Sequence, residues 1–147
     1  MDISMRTFVA LIAFVFTIAP SLAGDLPDVE VWKDPNCGCC SKWIKHLREA
    51  GFDVIAHDTG NVGAARERLG MPQRYAACHS AKVGNYVIEG HVPADDIKRL
   101  LKERPMAKGL AVPGMPMGSP GMEGPRSEAY QTLLIGPGGT AKVFAEH

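Results

Sequence analysis

The run Asn36-Cys37-Gly38-Cys39-Cys40 sets three thiols within four positions, directly after an apolar strand-like stretch and directly before a helix-like one. A fourth cysteine, Cys78, lies far downstream, and the sequence holds no other. Thiolates this dense either exchange disulfides or bind a soft metal. Any fold for this chain must present Cys37, Cys39 and Cys40 where one of those chemistries can proceed.

Cys37 and Cys40 form a C-x-x-C pair at the expected start of a helix. Unpaired backbone N–H groups there favour negative charge, so a thiolate is stabilised. A strand leading into C-x-x-C and a helix is the thioredoxin arrangement. Cys39 does not belong to that plan. It stands next to Cys40, and a disulfide between neighbours is strained, so Cys39 pairs with Cys78 or binds metal.

The first residues read as a secretory signal over 1–23. Arg6 supplies positive charge, an unbroken apolar run extends from Phe8 to Ala19, and Ser21-Leu22-Ala23 offers small residues for cleavage. The run falls short of the about 20 residues that span a bilayer. The expected product is a single soluble, periplasmic domain over 24–147, without a membrane attachment. Lys plus Arg and Asp plus Glu are equal at 16 each, so no basic stripe suggests nucleic acid. Outside the cytoplasm an even number of cysteines often means structural disulfides, here Cys37–Cys40 and Cys39–Cys78.

Along the chain, Val29 to Lys33 is β-rich and is stopped by Asp34-Pro35. Asn36 is the expected cap of a helix running from Cys39 or Cys40 to Ala50, with Trp43, Ile44, Leu47 and Ala50 on one face. Gly51 suits a left-handed C-terminal position. Phe52 to His57 alternates as a second strand, and Val62 to Leu69 reads as a short helix ended by Gly70. Tyr75 to Val92 is β-like about a turn at Gly84-Asn85. Pro93 to Arg104 is a helix with acids early and bases late, its charges read as a solvated face. Leu110 to Arg126 breaks every period, with Met115, Met117 and Met122 among Gly and Pro. Thr132 to Ile135 and Ala141 to Phe144 flank Gly136-Pro137-Gly138-Gly139 as a hairpin. The expected class is α/β: a small mixed sheet flanked by helices, with a Gly/Pro/Met-rich loop and a C-terminal β-hairpin.

Thiolate and thioether donors select soft ions such as Cu(I), while zinc also takes thiolates. Cys37, Cys39, Cys40 and Cys78 can supply an all-sulfur set, although C-x-C-C lacks the spacing of paired zinc knuckles. Thiolates so close can each bridge two ions, which suits a small Cu(I) cluster. The loop methionines offer soft donors, and His79, directly after Cys78, either ligates a nearby ion or is a hydrogen-bonded loop histidine. His46 reads as solvated, His57 and His91 as structural, and His147 as a disordered terminal residue.

Three segments, VEVWKDPNCGCCSKW, YAACHSAKVGNYVIEGHVPADDI and GLAVPGMPMGSPGME, together resemble the CopG-type family of periplasmic copper proteins. The resemblance covers nearly all of the chain from Val29 onward. It implies a thioredoxin-like fold, copper bound through the cysteines, and a role in copper resistance beside other periplasmic copper-handling proteins. Cys37, Cys39 and Cys40 match its C-x-C-C element, and Cys78-His79 its Cys-His element. Met115, Met117 and Met122 fall in its Gly/Pro/Met loop, with Met115 and Met122 at the positions associated with the pattern. A cysteine-bridged multicopper cluster and interconversion of Cu(I) and Cu(II) are what the resemblance further implies. The expected metal set is therefore Cys37, Cys39, Cys40, Cys78, Met115, Met122 and His79. The alternative is a thiol–disulfide oxidoreductase with Cys37 as nucleophile and Cys40 as resolving thiol.

Overall fold

The computed structural model describes residues 26–147, so the expected secretory segment 1–23 lies outside the described residues. β1 (Val29–Lys33) is followed by α1 (Gly38–Glu49), β2 (Val54–Asp58) and α2 (Val62–Leu69). A short 3-10 turn, Gln73–Tyr75, leads to β3 (His79–Val83) and β4 (Tyr86–Glu89). Then come α3 (Ala94–Glu103), β5 (Gly109–Ala111), β6 (Gln131–Ile135) and β7 (Ala141–Glu146). The strands form one mixed seven-stranded sheet in the order β2-β1-β3-β4-β5-β6-β7. β1 runs parallel to β2 and β4 parallel to β5, and the other neighbours are antiparallel. Among the described residues no helix is long and apolar enough to cross a membrane.

Side-chain alternation divides the core between the two sheet faces. On one face Trp43, Ile44 and Leu47 of α1 and Ile97 and Leu100 of α3 pack against Val29, Val31, Ile88 and Leu110. The neighbouring strand residues Val87, Ala111 and Ile135 point the other way and join Met71, which follows α2. The spacing of α1's buried residues, Cys40, Trp43, Ile44 and Leu47, is what puts Cys40 on the core side of the helix.

Four details depart from the sequence expectations. Cys37 caps α1 instead of Asn36: its Sγ accepts from the Cys40 N–H at 3.3 Å. The Asn36 N–H turns back to Asp34 Oδ1 at 2.8 Å. β5 lies at the edge of the stretch read as irregular, and it joins the C-terminal hairpin to the sheet. The sheet is therefore larger than the small one expected. Gly109 opens β5 because its backbone lies so close to the Val87 carbonyl that a Cβ has no room. His147 is ordered: it bonds Asp96 Oδ2 at 2.9 Å and stacks on Tyr130. Asp96 is itself buried and accepts from Thr132 Oγ1 at 2.6 Å, so α3's acidic first turn is not wholly solvated.

Leu47 is fully buried at the centre of the larger core cluster. Leu47→Ala is expected to cost about 2–5 kcal/mol. Urea denaturation would read this as a lower midpoint at unchanged slope; an unmoved midpoint would show that α1 is not docked as described.

Candidate metal centre

The register of the sheet assembles the site. β1 ends at Lys33, opposite His79 at the start of β3. The turn after β1 therefore delivers Cys37 to the same sheet end at which Cys78 precedes β3. β4 pairs Glu89 with Ser80, so the chain leaving β4 carries Gly90 and His91 back past Cys78. The Gly90 N–H donates to the His79 carbonyl at 3.1 Å. β5 runs parallel to β4 with Ala111 opposite Glu89, so the Gly/Pro/Met loop also begins at this end.

The result brings four sulfurs together. Cys37, Cys39, Cys40 and Cys78 offer Sγ atoms that all lie within 4.8 Å of one another. Cys37 and Cys40 are joined in a disulfide across the first turn of α1, with Cα atoms 5.3 Å apart. Cys39 and Cys78 are free. Cys39 Sγ stands 3.5 Å from Cys37 Sγ and 4.0 Å from Cys78 Sγ. Of the two structural disulfides considered from sequence, one is formed and Cys39–Cys78 is not. Cys40 is fully buried, and the other three are half-buried.

Two histidines complete the cluster. His79 and His91 are both fully buried. Cys78 Sγ lies 3.3 Å from His79 Nδ1 and 3.0 Å from His91 Nε2. His91 Nδ1 is 2.7 Å from the Pro120 carbonyl, which can only accept, so that nitrogen carries the proton. His91 Nε2 then holds a lone pair facing the sulfur. His79 packs on Trp43 with ring centroids 4.3 Å apart, and its Nε2 has no hydrogen-bond partner. Burial dominates the protonation of all three groups. It pushes the Cys78 thiol up to about 12, with the neighbouring Cys39 adding to the shift. It pushes His79 down to about 3, helped by His91, and lowers His91 as well. Both imidazoles are neutral, with lone pairs available to a cation.

His91, read from sequence as a structural strand-end residue, stands in this cluster beside Cys78 Sγ. The adjacent Cys-His dipeptide had no counterpart at Gly90-His91, and only the β3–β4 pairing reveals the relation. The reading of His46 as solvated is corrected: it is half-buried, and its Nε2 accepts from the Ala94 N–H at 3.1 Å, an orphan donor at the start of α3. Burial lowers its pKa. His57 stays outside the cluster, 3.2 Å from Glu30 Oε2 and stacked on Trp32.

The Gly/Pro/Met loop is anchored at two points beside the sulfurs. Gly114 donates to the Ala76 carbonyl at 3.1 Å and bridges Ala77, just before Cys78. Gly121 lies against α1, where an added Cβ would come within 2.7 Å of the Cys39 carbonyl and 3.2 Å of His91 Nδ1. Met115 and Met122 each directly follow one of these anchors, whereas Met117 lies between them. Met115 is 51% exposed, and Met122 is half-buried.

Behind Cys78 sits a buried charge. Glu89 Oε1 accepts from Arg66 Nε at 2.8 Å and from the Ala77 N–H at 2.8 Å, and Oε2 accepts from Ser80 Oγ at 2.6 Å. Arg66 also donates to the Ala77 carbonyl at 2.7 Å. These bonds grip both sides of Cys78-His79. Burial pushes the Glu89 carboxyl up, against the pull of its donors.

The donor set fits a soft or borderline cation, since thiolate sulfur selects ions such as Cu(I) and zinc, and neutral imidazole suits zinc and copper. Residues 75–122 match a family described as a protein of unknown function, DUF411. Two solved structures, of copper resistance protein CopG in Form 1 and Form 2, are each 46% identical to this chain. Each superposes with a TM-score of 0.78, covering 83% of this chain and 98% of that one. No curated protein matches the chain.

Glu89→Gln keeps the shape but leaves Arg66 buried without its counter-charge, and is expected to cost about 3–5 kcal/mol. Urea denaturation checks this. A loss below about 1 kcal/mol, the worth of one ordinary hydrogen bond, would show that the carboxylate does not organise the segment.

Proposed function

The chain belongs to the family of copper resistance protein CopG, and from that premise we propose that it is a periplasmic copper-binding protein that takes Cu(I) into a cysteine thiolate cluster. The observation that carries this reading is the meeting of four cysteine sulfurs within 4.8 Å. Cys37, Cys39, Cys40 and Cys78 are the proposed ligands. Reduction of the Cys37–Cys40 disulfide by an external dithiol, itself oxidised to a disulfide in the exchange, frees the two further thiolates that the cluster needs. Sulfurs this close can each bridge two ions, so the cargo is more than one Cu(I). Binding must also displace the proton that burial holds on Cys78, which couples uptake to proton release.

Met115 and Met122 guard or complete the site from the loop, each beside a segment anchored to it, and His79 supplies an imidazole. Metallated thiolates are poor disulfide partners, so bound Cu(I) protects the cluster in an oxidising compartment. Secretion through a cleaved signal over 1–23 brings the chain to that compartment, where it serves copper resistance beside other copper-handling proteins. The C-x-x-C at the start of a helix, after a strand paired in parallel with the next, supports a thioredoxin-like ancestry. Closing the Cys37/Cys40 dithiol to its disulfide releases two electrons and two protons, which suits reduction of two Cu(II) to two Cu(I).

One observation favours a second reading, thiol–disulfide exchange. Cys37 and Cys40 form a disulfide at a helix N-terminus, where a departing thiolate is stabilised. Cys39 has no part in that chemistry.

Anaerobic Cu(I) titration of the reduced chain, followed by ultraviolet absorption and native mass, separates the two. More than one copper per chain, lost in Cys39→Ser, is the expected result. Absence of uptake, with the disulfide cycling readily against a disulfide substrate in both wild type and Cys39→Ser, would move the protein to the oxidoreductase class.

A further inference from the structure

We propose that the concavity between the start of β1, the β3–β4 turn and the end of α3 binds a phosphate-type anion carried on a short apolar body. The cavity measures about 600 Å³, inside the range of about 300–1,000 Å³ usual for small-molecule sites. Lys98, Lys102 and Arg104 line it together with Leu26, Pro27 and Leu101, and no acidic residue is among its walls. It lies at the sheet end opposite the sulfurs. Pro27 precedes β1, whose far end leads to Cys37, and Gly84 follows β3, which starts just after Cys78. The proposal is therefore independent of the copper reading.

Among the described residues none of the three cations forms an ion pair. The acid between two of them, Glu103, is turned to Arg99, with Oε1 3.6 Å from Arg99 Nε. Lys98 and Lys102 stand about one turn apart on α3, so they share a face of the helix. Lys98 Nζ lies over the Phe52 ring, 6.0 Å from its centroid, which leaves its donors unpaired. Arg104 ends the helix in the left-handed region at φ 49°, and among the described residues no other non-glycine residue has a positive φ. Glycine is the usual residue there, because a Cβ is strained in that region. Bases near a helix C-terminus complement its dipole, but that effect requires neither a concavity nor an arginine in a strained conformation. The Tyr86 hydroxyl donates to the Pro105 carbonyl at 2.9 Å and holds the segment that follows Arg104.

The walls set the ligand. A planar guanidinium fork matches phosphate oxygens in pairs, and the two ammonium groups add point charges. Three cations without an acid favour a doubly charged head over a single carboxylate. Leu26 and Leu101 are half-buried and pack on the core. A Cβ added at Gly84 would meet Leu101 Cδ2 and Pro27 Cγ, each at 4.0 Å, so the β3–β4 turn closes the apolar side. A phosphate on the cations with a short hydrocarbon along Leu26, Pro27 and Leu101 uses both halves of the cavity. The formal net charge of the chain is zero, so attraction by the whole molecule does not supply the affinity. A phosphate of this kind comes either from a soluble phosphoester or from a lipid headgroup.

The test titrates hexyl phosphate, inorganic phosphate and hexanol into the full chain by calorimetry. One hexyl phosphate per chain is expected, bound at least about tenfold more tightly than either smaller probe, since only it engages both halves of the cavity. Arg104→Gly removes the guanidinium and relieves the left-handed strain. It is expected to hold or raise the thermal midpoint while weakening hexyl phosphate at least about tenfold, a combination that misfolding cannot produce. Lys102→Gln, at an exposed position, is expected to weaken binding at an unchanged midpoint. No binding of hexyl phosphate, equal binding by both variants, or inorganic phosphate bound as tightly as hexyl phosphate would overturn the proposal. Co-sedimentation with phosphatidic acid vesicles, against phosphatidylcholine vesicles, separates the two sources. Capture of the wild type and not of Arg104→Gly supports the site with a lipid headgroup as its ligand. Hexyl phosphate binding with the two chains captured alike supports it with a soluble phosphoester, because the segment 1–23 is common to both chains.

Discussion

Lys33 at the end of β1 stands opposite His79 at the start of β3, and the whole cluster hangs on that antiparallel pairing. A strand slipped by one residue turns every side chain to the other face. Val29 and Val31 would leave the core and His79 would leave the cysteines. The register is held by burial on both sides of the sheet, because β1 and β3 lie inside a seven-stranded array with neighbours at each edge. The same hydrophobic packing that docks α1 through Trp43, Ile44 and Leu47 therefore sets the distance between its first turn and Cys78. Stability and site geometry share one cause.

The electrostatics of the centre are layered. Nearest the sulfurs the ionisable groups are neutral: burial holds a proton on Cys78 and keeps protons off the second nitrogens of His79 and His91. One layer back, Arg66 and Glu89 form an ion pair at 2.8 Å that is almost completely buried. Such a pair contributes little net stability, since desolvation offsets attraction. Its bonds to Ala77 and Ser80 give it another use, which is to hold the backbone on either side of Cys78-His79. A soft cation entering this setting meets lone pairs already oriented and has protons to displace.

Much of this was legible along the chain. VEVWK alternates and is stopped by Asp-Pro, so β1 could be read directly. Trp43, Ile44 and Leu47 at helical spacing marked α1, and Gly51 and Gly70 marked helix ends with positive φ as expected. The C-terminal hairpin followed from its glycine-rich turn. β5 was not legible, because three residues carry no period, and it exists only through its partners β4 and β6. The cap on α1 was misassigned because a cysteine sulfur took the role that asparagine oxygen usually fills. His46 and His147 looked peripheral in sequence, yet each found a long-range polar partner.

The sequence by itself determined the chemistry available: three crowded thiols, a distant fourth beside a histidine, and a methionine loop of soft donors. Side-chain type is local, and the softness of sulfur needs no fold to be recognised. The tertiary structure alone decided which of those donors meet. It joined Cys37 to Cys40 and left Cys39 and Cys78 free. It also brought His91 to the sulfur of a residue 13 positions away, through strand pairing that no local pattern encodes. Register is a property of packed surfaces, and it emerges only when both faces of the sheet are covered.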